Sequence, residues 1–138
     1  MARSTKATPA RGDLTLAQWE LLALVWEEGE VTAASAHAAL SKRRKVAPTT
    51  VLTHLQRLER RGLLVHREDG RAHVWRAAKD KRSLVGGLLG RLRDLLFRGA
   101  TDGLVATLLE SGPVSEAELA RLRTLLANTN ARTKGRSP

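Results

Sequence analysis

Residues 48–62 read PTTVLTHLQRLERRG, and how this stretch divides around a helix decides how the rest of the chain is read. At 100° per residue Val51, Leu55 and Leu58 gather on one side, while Thr49, Thr50, Thr53, Gln56, Arg57 and Arg60 gather opposite. Pro48 suits a first helical position, where no amide hydrogen is needed, and Gly62 suits the residue past the end. The polar side is unusual in kind. A merely solvated face mixes Glu with Lys and uses good helix formers, whereas this one combines Arg with three Thr, which are poor helix formers. Short hydroxyls flanked by guanidinium groups suit a surface that approaches base edges and phosphates in a major groove.

The neighbouring segments extend that reading. Downstream, LLVHREDGRAHVWRA places two short runs around Asp69-Gly70, a strong signal for a tight hairpin whose tip carries Arg67 and Arg71. Either Leu64 and Trp75 or Val65 and Val74 face inward. Upstream, Thr15 with Gln18 predicts a capping box, Leu14 can staple against Trp19, and Trp19, Leu22, Ala23 and Trp26 define a buried face that ends at Gly29. A second helix starts at Thr32, with Ala36, Ala39 and Leu40 as its apolar stripe, and SKRRK at 41–45 forms a basic turn. Three helices followed by a basic hairpin are the order of a winged helix-turn-helix.

Charge is distributed accordingly. The 138 residues carry a net charge of +10, but residues 42–82 hold thirteen basic against four acidic side chains, while residues 13–41 hold five acidic and no basic ones. Positive charge concentrated in one segment suits a surface that meets a polyanion.

Beyond the hairpin the pattern changes. Residues 83–96 set Leu84, Leu88, Leu92 and Leu95 at helical spacing, with Leu96 widening the stripe; Gly86, Gly87 and Gly90 suggest that another backbone comes close. A short helix from Asp102 carries Leu104 and Leu108. Ser115 and Glu118 predict another capping box before Leu119, Leu122, Leu125 and Leu126. With aromatic residues at only 3%, so much leucine makes a poor independent core, and a second copy of the chain would supply the missing surface. The expected organisation is a disordered basic tail at 1–12, a winged helix at 13–78, a helical dimerisation lobe at 79–127 and a second disordered basic tail at 128–138. The fold class is mainly α with a small β-hairpin.

Several functions are excluded or disfavoured. The chain has no cysteine, so disulfides and thiolate metal sites are ruled out. No apolar run is long enough to cross a membrane and no signal peptide is visible, which fits a cytoplasmic protein. His66 and His73 could face each other across the hairpin, but a structural metal wants four ligands, so no metal is expected; His37 and His54 are read as helix-packing residues. Neither a nucleophile with a base nor a phosphate-binding glycine loop is present, so catalysis and cofactors are not expected. Two rival classes are a winged-helix protein adaptor and a membrane-surface protein using the amphipathic SLVGGLLGRLRDLLFRG segment at 83–99.

Three stretches together, LTLAQWELLALVWEEG, TTVLTHLQRLERRGLLVHREDGRAHVWRA and LRDLLFRGATDGLVATLLESGPVSEAELARLRTLL, resemble the penicillinase-repressor (BlaI/MecI) family of bacterial transcription regulators over about Leu14 to Ala127. The resemblance implies a dimeric repressor that reads operator DNA and is often paired with a membrane-bound metalloprotease sensor. Where β-lactamase-responsive members carry an Asn-Phe scissile pair, this sequence has Thr107-Leu108, and the cysteine cluster of copper-responsive relatives is absent. In this reading Thr49, Thr50, Thr53 and Arg57 face bases. Lys42, Arg43, Arg44, Lys45, Arg60, Arg61, Arg67 and Arg71 hold phosphates. Leu84, Leu88, Leu92, Leu95, Leu96, Leu104, Leu108, Leu119, Leu122 and Leu126 form the dimer surface.

Overall fold

A computed structural model describes residues 14–136 of the chain, so the 1–12 tail lies outside the described residues. Six helices and one hairpin follow in the order α1 (Leu16–Glu28), α2 (Ala33–Ser41), α3 (Pro48–Arg60), β1 (Leu64–Asp69), β2 (Ala72–Ala77), α4 (Lys81–Leu96), α5 (Thr101–Glu110) and α6 (Glu116–Arg136). By its internal packing the chain falls into two compact units that divide between Arg91 and Leu92.

Local chemistry starts the first two helices. Thr15 accepts from the Gln18 amide at 3.1 Å and Gln18 accepts from the Thr15 amide at 3.1 Å, a reciprocal cap. Thr32 and Ser35 repeat the device at α2, a box not anticipated from sequence because serine rarely fills the third position. The buried face of α1 is Gln18, Leu21, Leu22 and Val25, so the expected face on Trp19, Leu22, Ala23 and Trp26 is rotated. Ala23 is exposed, and the two tryptophans lie half-buried at the margin of the core. Trp26 gains there a partner for its ring N–H, donating to the Lys79 carbonyl at 3.0 Å.

The core of the first unit joins this face to Ala36 and Leu40 of α2, Val51, Leu55 and Leu58 of α3, Leu63, Leu64 and Trp75. The hairpin is antiparallel with Leu64 opposite Ala77 and His66 opposite Trp75, so Leu64 and Trp75 share the inward face; Val74, on the other face, is buried as well. Gly70 turns the chain between the strands at φ +66°, a conformation that suits a residue without a β-carbon. The outer side of β2 is also paired: Val31 and Trp75 exchange two backbone hydrogen bonds, of 3.0 and 2.7 Å, which pins the α1–α2 connection to the wing.

Leu84 also belongs to this core. At 4% exposed it packs within the winged-helix unit, which corrects its expected role at a dimer surface. A Cβ built at Gly86 or Gly87 meets nothing within 4 Å among the described residues, so no other part of the described chain makes the close approach expected there.

In the second unit Ser115 and Glu118 cap each other reciprocally before α6, at 3.3 and 3.1 Å. The helix then continues to Arg136, past the expected end of order at 127. Phe97 lies 3.0 Å from a Cβ built at Gly103, so that glycine makes room for the aromatic ring. Among the described residues no helix is long and apolar enough to cross a membrane.

Candidate nucleic-acid interface

The third helix separates its faces as its sequence demands. Val51, Leu55 and Leu58 are fully buried, and opposite them Thr49, Thr50, Gln56, Arg57 and Arg60 are exposed, with Thr53 half-buried among them. Arg57 and Arg60 occupy the last turn, where cations offset the negative end of the helix dipole. The helix begins at Pro48 with no side-chain cap. With Arg61, Thr15 and Gln18, these two arginines line an open depression of about 370 Å³.

The turn before α3 is held from two sides. Val46 offers only a carbonyl, so the His37 Nε2 that lies 2.8 Å from it donates, and Ser41 Oγ stands 3.2 Å from the same nitrogen. His37 thus fastens the turn, a more specific part than helix packing. Glu20 of α1 then accepts from Arg44 at 2.6 Å and lies 3.7 Å from Arg43. Lys42 and Lys45 are exposed.

The wing places its two arginines differently. Arg71, at the tip, lines a depression of about 360 Å³ together with Thr32, Leu52, His73 and Trp75. Arg67 donates to Glu30 instead, at 3.0 Å from Nη2 and 3.4 Å from Nε. The hydrogen bond from Arg67 holds the Glu30 carboxyl below the usual carboxylate range, and Glu30 in turn raises the pKa of Arg67.

His66 and His73 do meet, as stacked rings with centroids 4.3 Å apart. Each has a carboxylate beside it, Glu59 at 2.7 Å from His66 and Glu68 at 3.9 Å from His73. Among the described residues no group of three or more His, Cys, Asp or Glu side chains is arranged to hold a metal ion.

His54, on α3, has a buried Nδ1 without a hydrogen-bond partner among the described residues. Burial lowers its pKa, and the nearby charges of Arg57 and Arg44 lower it further. The folded chain therefore resists a proton that the unfolded chain accepts near pH 6.5. Stability from this group is complete above that pH and declines as pH falls through the lower folded value. Thermal melts between pH 7.5 and 5 are expected to show a His54→Gln variant losing less stability on acidification than the parent; equal losses would refute this assignment.

Sequence reasoning missed three participants. Leu52 is 38% exposed on α3, beside the wing and one turn from Gln56, an apolar residue where water would favour a polar one. Glu20 and Glu30 were read only as part of an acidic segment, because their arginine partners lie 24 and 37 residues away.

Three helices, the third with a basic and hydroxyl-bearing outer face, and a wing pinned beside it define a winged helix-turn-helix, a class that places its third helix in the major groove. The chain belongs to the penicillinase repressor family, whose model matches residues 14–128. It is 34% identical over 129 residues to the transcriptional regulator BlaI of Mycobacterium tuberculosis, an alignment covering 92% of this chain and 90% of that one. It is 25% identical over 118 residues to the penicillinase repressor of Bacillus licheniformis, covering 86% and 92% of the two chains. Among solved structures, that of a MepR Q18P mutant from S. aureus is similar in fold, with a TM-score of 0.53, 20% identity and coverage of 89% of this chain and 81% of that one.

Proposed function

We propose that the chain occupies a near-palindromic operator as a homodimer, keeps polymerase off by steric exclusion, and is released by an upstream signal. Membership of the family makes it a DNA-binding transcriptional repressor rather than an enzyme. The observation that carries the reading is the outer face of α3, where Thr49, Thr50, Thr53 and Arg57 stand opposite three fully buried apolar residues.

Positioning and reading are separate tasks. Thr49, Thr50, Thr53 and Arg57 read base edges, while Lys42, Arg43, Lys45, Arg60, Arg61 and Arg71 hold phosphates, joined by Arg44 once it exchanges Glu20 for a phosphate. Leu88, Leu92, Leu95, Leu96, Leu104, Leu108, Leu119, Leu122 and Leu126 serve the dimer, and residues 92–136 carry most of that surface. Cleavage by a membrane-bound sensor metalloprotease pathway is one route to release. Thr107-Leu108 stands where such a protease cuts an Asn-Phe pair in β-lactamase-responsive members, a departure that argues against cleavage at this bond, although both residues are exposed on α5.

Selection of bound sequences from a random duplex pool tests the whole reading. An inverted repeat is expected, since two symmetric readers select two half-sites; a pool that shows no enrichment would overturn it. On the selected operator Thr53→Ala is expected to cost about 1–2 kcal/mol of binding while leaving affinity for scrambled duplex unchanged. Arg71→Ala is expected to weaken all duplexes alike and to flatten the dependence of log affinity on log salt by about 0.9. Gel-shift titrations at several salt concentrations measure both, and parallel losses for the two variants on both duplexes would defeat the division of tasks.

A further inference from the structure

The two arginines of the wing are equivalent in sequence but not in the fold. A guanidinium grips a carboxylate or a phosphate with the same planar edge, so a carboxylate already on that edge competes with DNA. Glu30 sits on the Nε/Nη2 edge of Arg67, and Asp69 stands 4.0 Å from Nη1. The main chain beside Glu30 is also held, because the next residue, Val31, is tied to Trp75 of the wing by two backbone hydrogen bonds. No ion pair engages Arg71 among the described residues.

We propose that Glu30 is an affinity-setting residue that stands in for a phosphate on Arg67 and withholds that side chain from the duplex. The inference rests on the reading of the first unit as a DNA-binding winged helix, and assigns the wing's phosphate contact to Arg71. A repressor so built holds its operator less tightly than its charge allows, and gains from Arg67 only when Glu30 lets go.

The test uses the full chain and its selected operator, with affinities measured across a salt series. Glu30→Gln is expected to tighten binding roughly fivefold at low salt and to steepen the salt slope by about 0.9, the effect of one added phosphate contact. Arg67→Ala in the parent is expected to leave the slope unchanged, and in the Glu30→Gln background to cancel the gain. Glu28→Gln removes the same charge from an exposed position on α1 and is expected to leave the slope as it was. The proposal is overturned if Arg67→Ala alone flattens the slope by about one unit, if Glu30→Gln fails to tighten binding, or if Glu28→Gln does as much as Glu30→Gln. A parent chain that binds no duplex, or whose slope Arg71→Ala does not change, would instead bring down the reading of the wing on which the proposal rests.

Discussion

Trp75→Ala is expected to destabilise the winged-helix unit by about 3–5 kcal/mol, the range for deleting a buried aromatic side chain. Trp75 is 2% exposed and joins three parts of the unit: its backbone is paired to Val31, its ring is tilted against His66 with centroids 4.9 Å apart, and it packs into the core with Leu64. Domains of this size have total stabilities on the order of 5–15 kcal/mol, so the loss takes away a large part of the whole. The melting temperature should fall by roughly 20 °C, read by circular dichroism, with operator binding lost in parallel. Trp75→Phe makes the contrast. The indole Nε1 is buried without an acceptor among the described residues, so its removal sacrifices no hydrogen bond and relieves an unsatisfied donor. Phenylalanine keeps most of the ring contact and is expected to cost less than about 1.5 kcal/mol. If Phe proves as harmful as Ala, the indole N–H has a partner in solution and its packing is not the main contribution.

The second large effect concerns the helices beyond the wing. Leu95 is 78% and Leu126 69% exposed in the single chain, and Leu96, Leu108 and Leu125 are also open to solvent. Scattered surface leucines are ordinary, but so many on three successive helices suit a surface that another copy covers. An aspartate placed there is harmless in a monomer and costly in a dimer, where twofold symmetry buries it twice. Leu126→Asp combined with Leu108→Asp is therefore expected to weaken dimerisation at least about a hundredfold while leaving the first unit's melting temperature unchanged. Sedimentation measures the first effect directly. In gel shifts single chains should occupy the half-sites independently, and operator affinity should fall by on the order of a hundredfold or more as the linkage between half-sites disappears. A doubly substituted chain that still sediments as a dimer would remove residues 92–136 from the interface.

What the sequence made legible was local. The caps at Thr15 and Ser115, the Asp69-Gly70 turn and the two-sided third helix each depend on residues within a turn or two of one another, and each is present in the structure. The first helix misled for an identifiable reason. Gln18 looks polar, but its side chain caps Thr15, and once satisfied it can be buried at 6% exposed; the tryptophans, being large, drew the expected face towards themselves. Leu84 shows another limit, since a leucine stripe looks the same whether it faces its own core or a partner. The hairpin's inward face stayed open because Val74 and Trp75 are adjacent and both are covered, which hides the alternation that would reveal it. Helix periodicity placed Thr49, Thr50, Thr53 and Arg57 on the outer face of α3, while the pairing of Arg67 with Glu30 depends on residues far apart in the chain and had no local signature.

Val31 covers the outer side of β2 at Trp75 alone, whereas the outer edge of β1 has no strand partner among the described residues. From His66 to Asp69 that strand is an unbroken run of ionisable side chains, a poor template for a foreign β-strand. These charges discourage neighbouring molecules from zipping together edge to edge, and should help the protein stay monodisperse when concentrated.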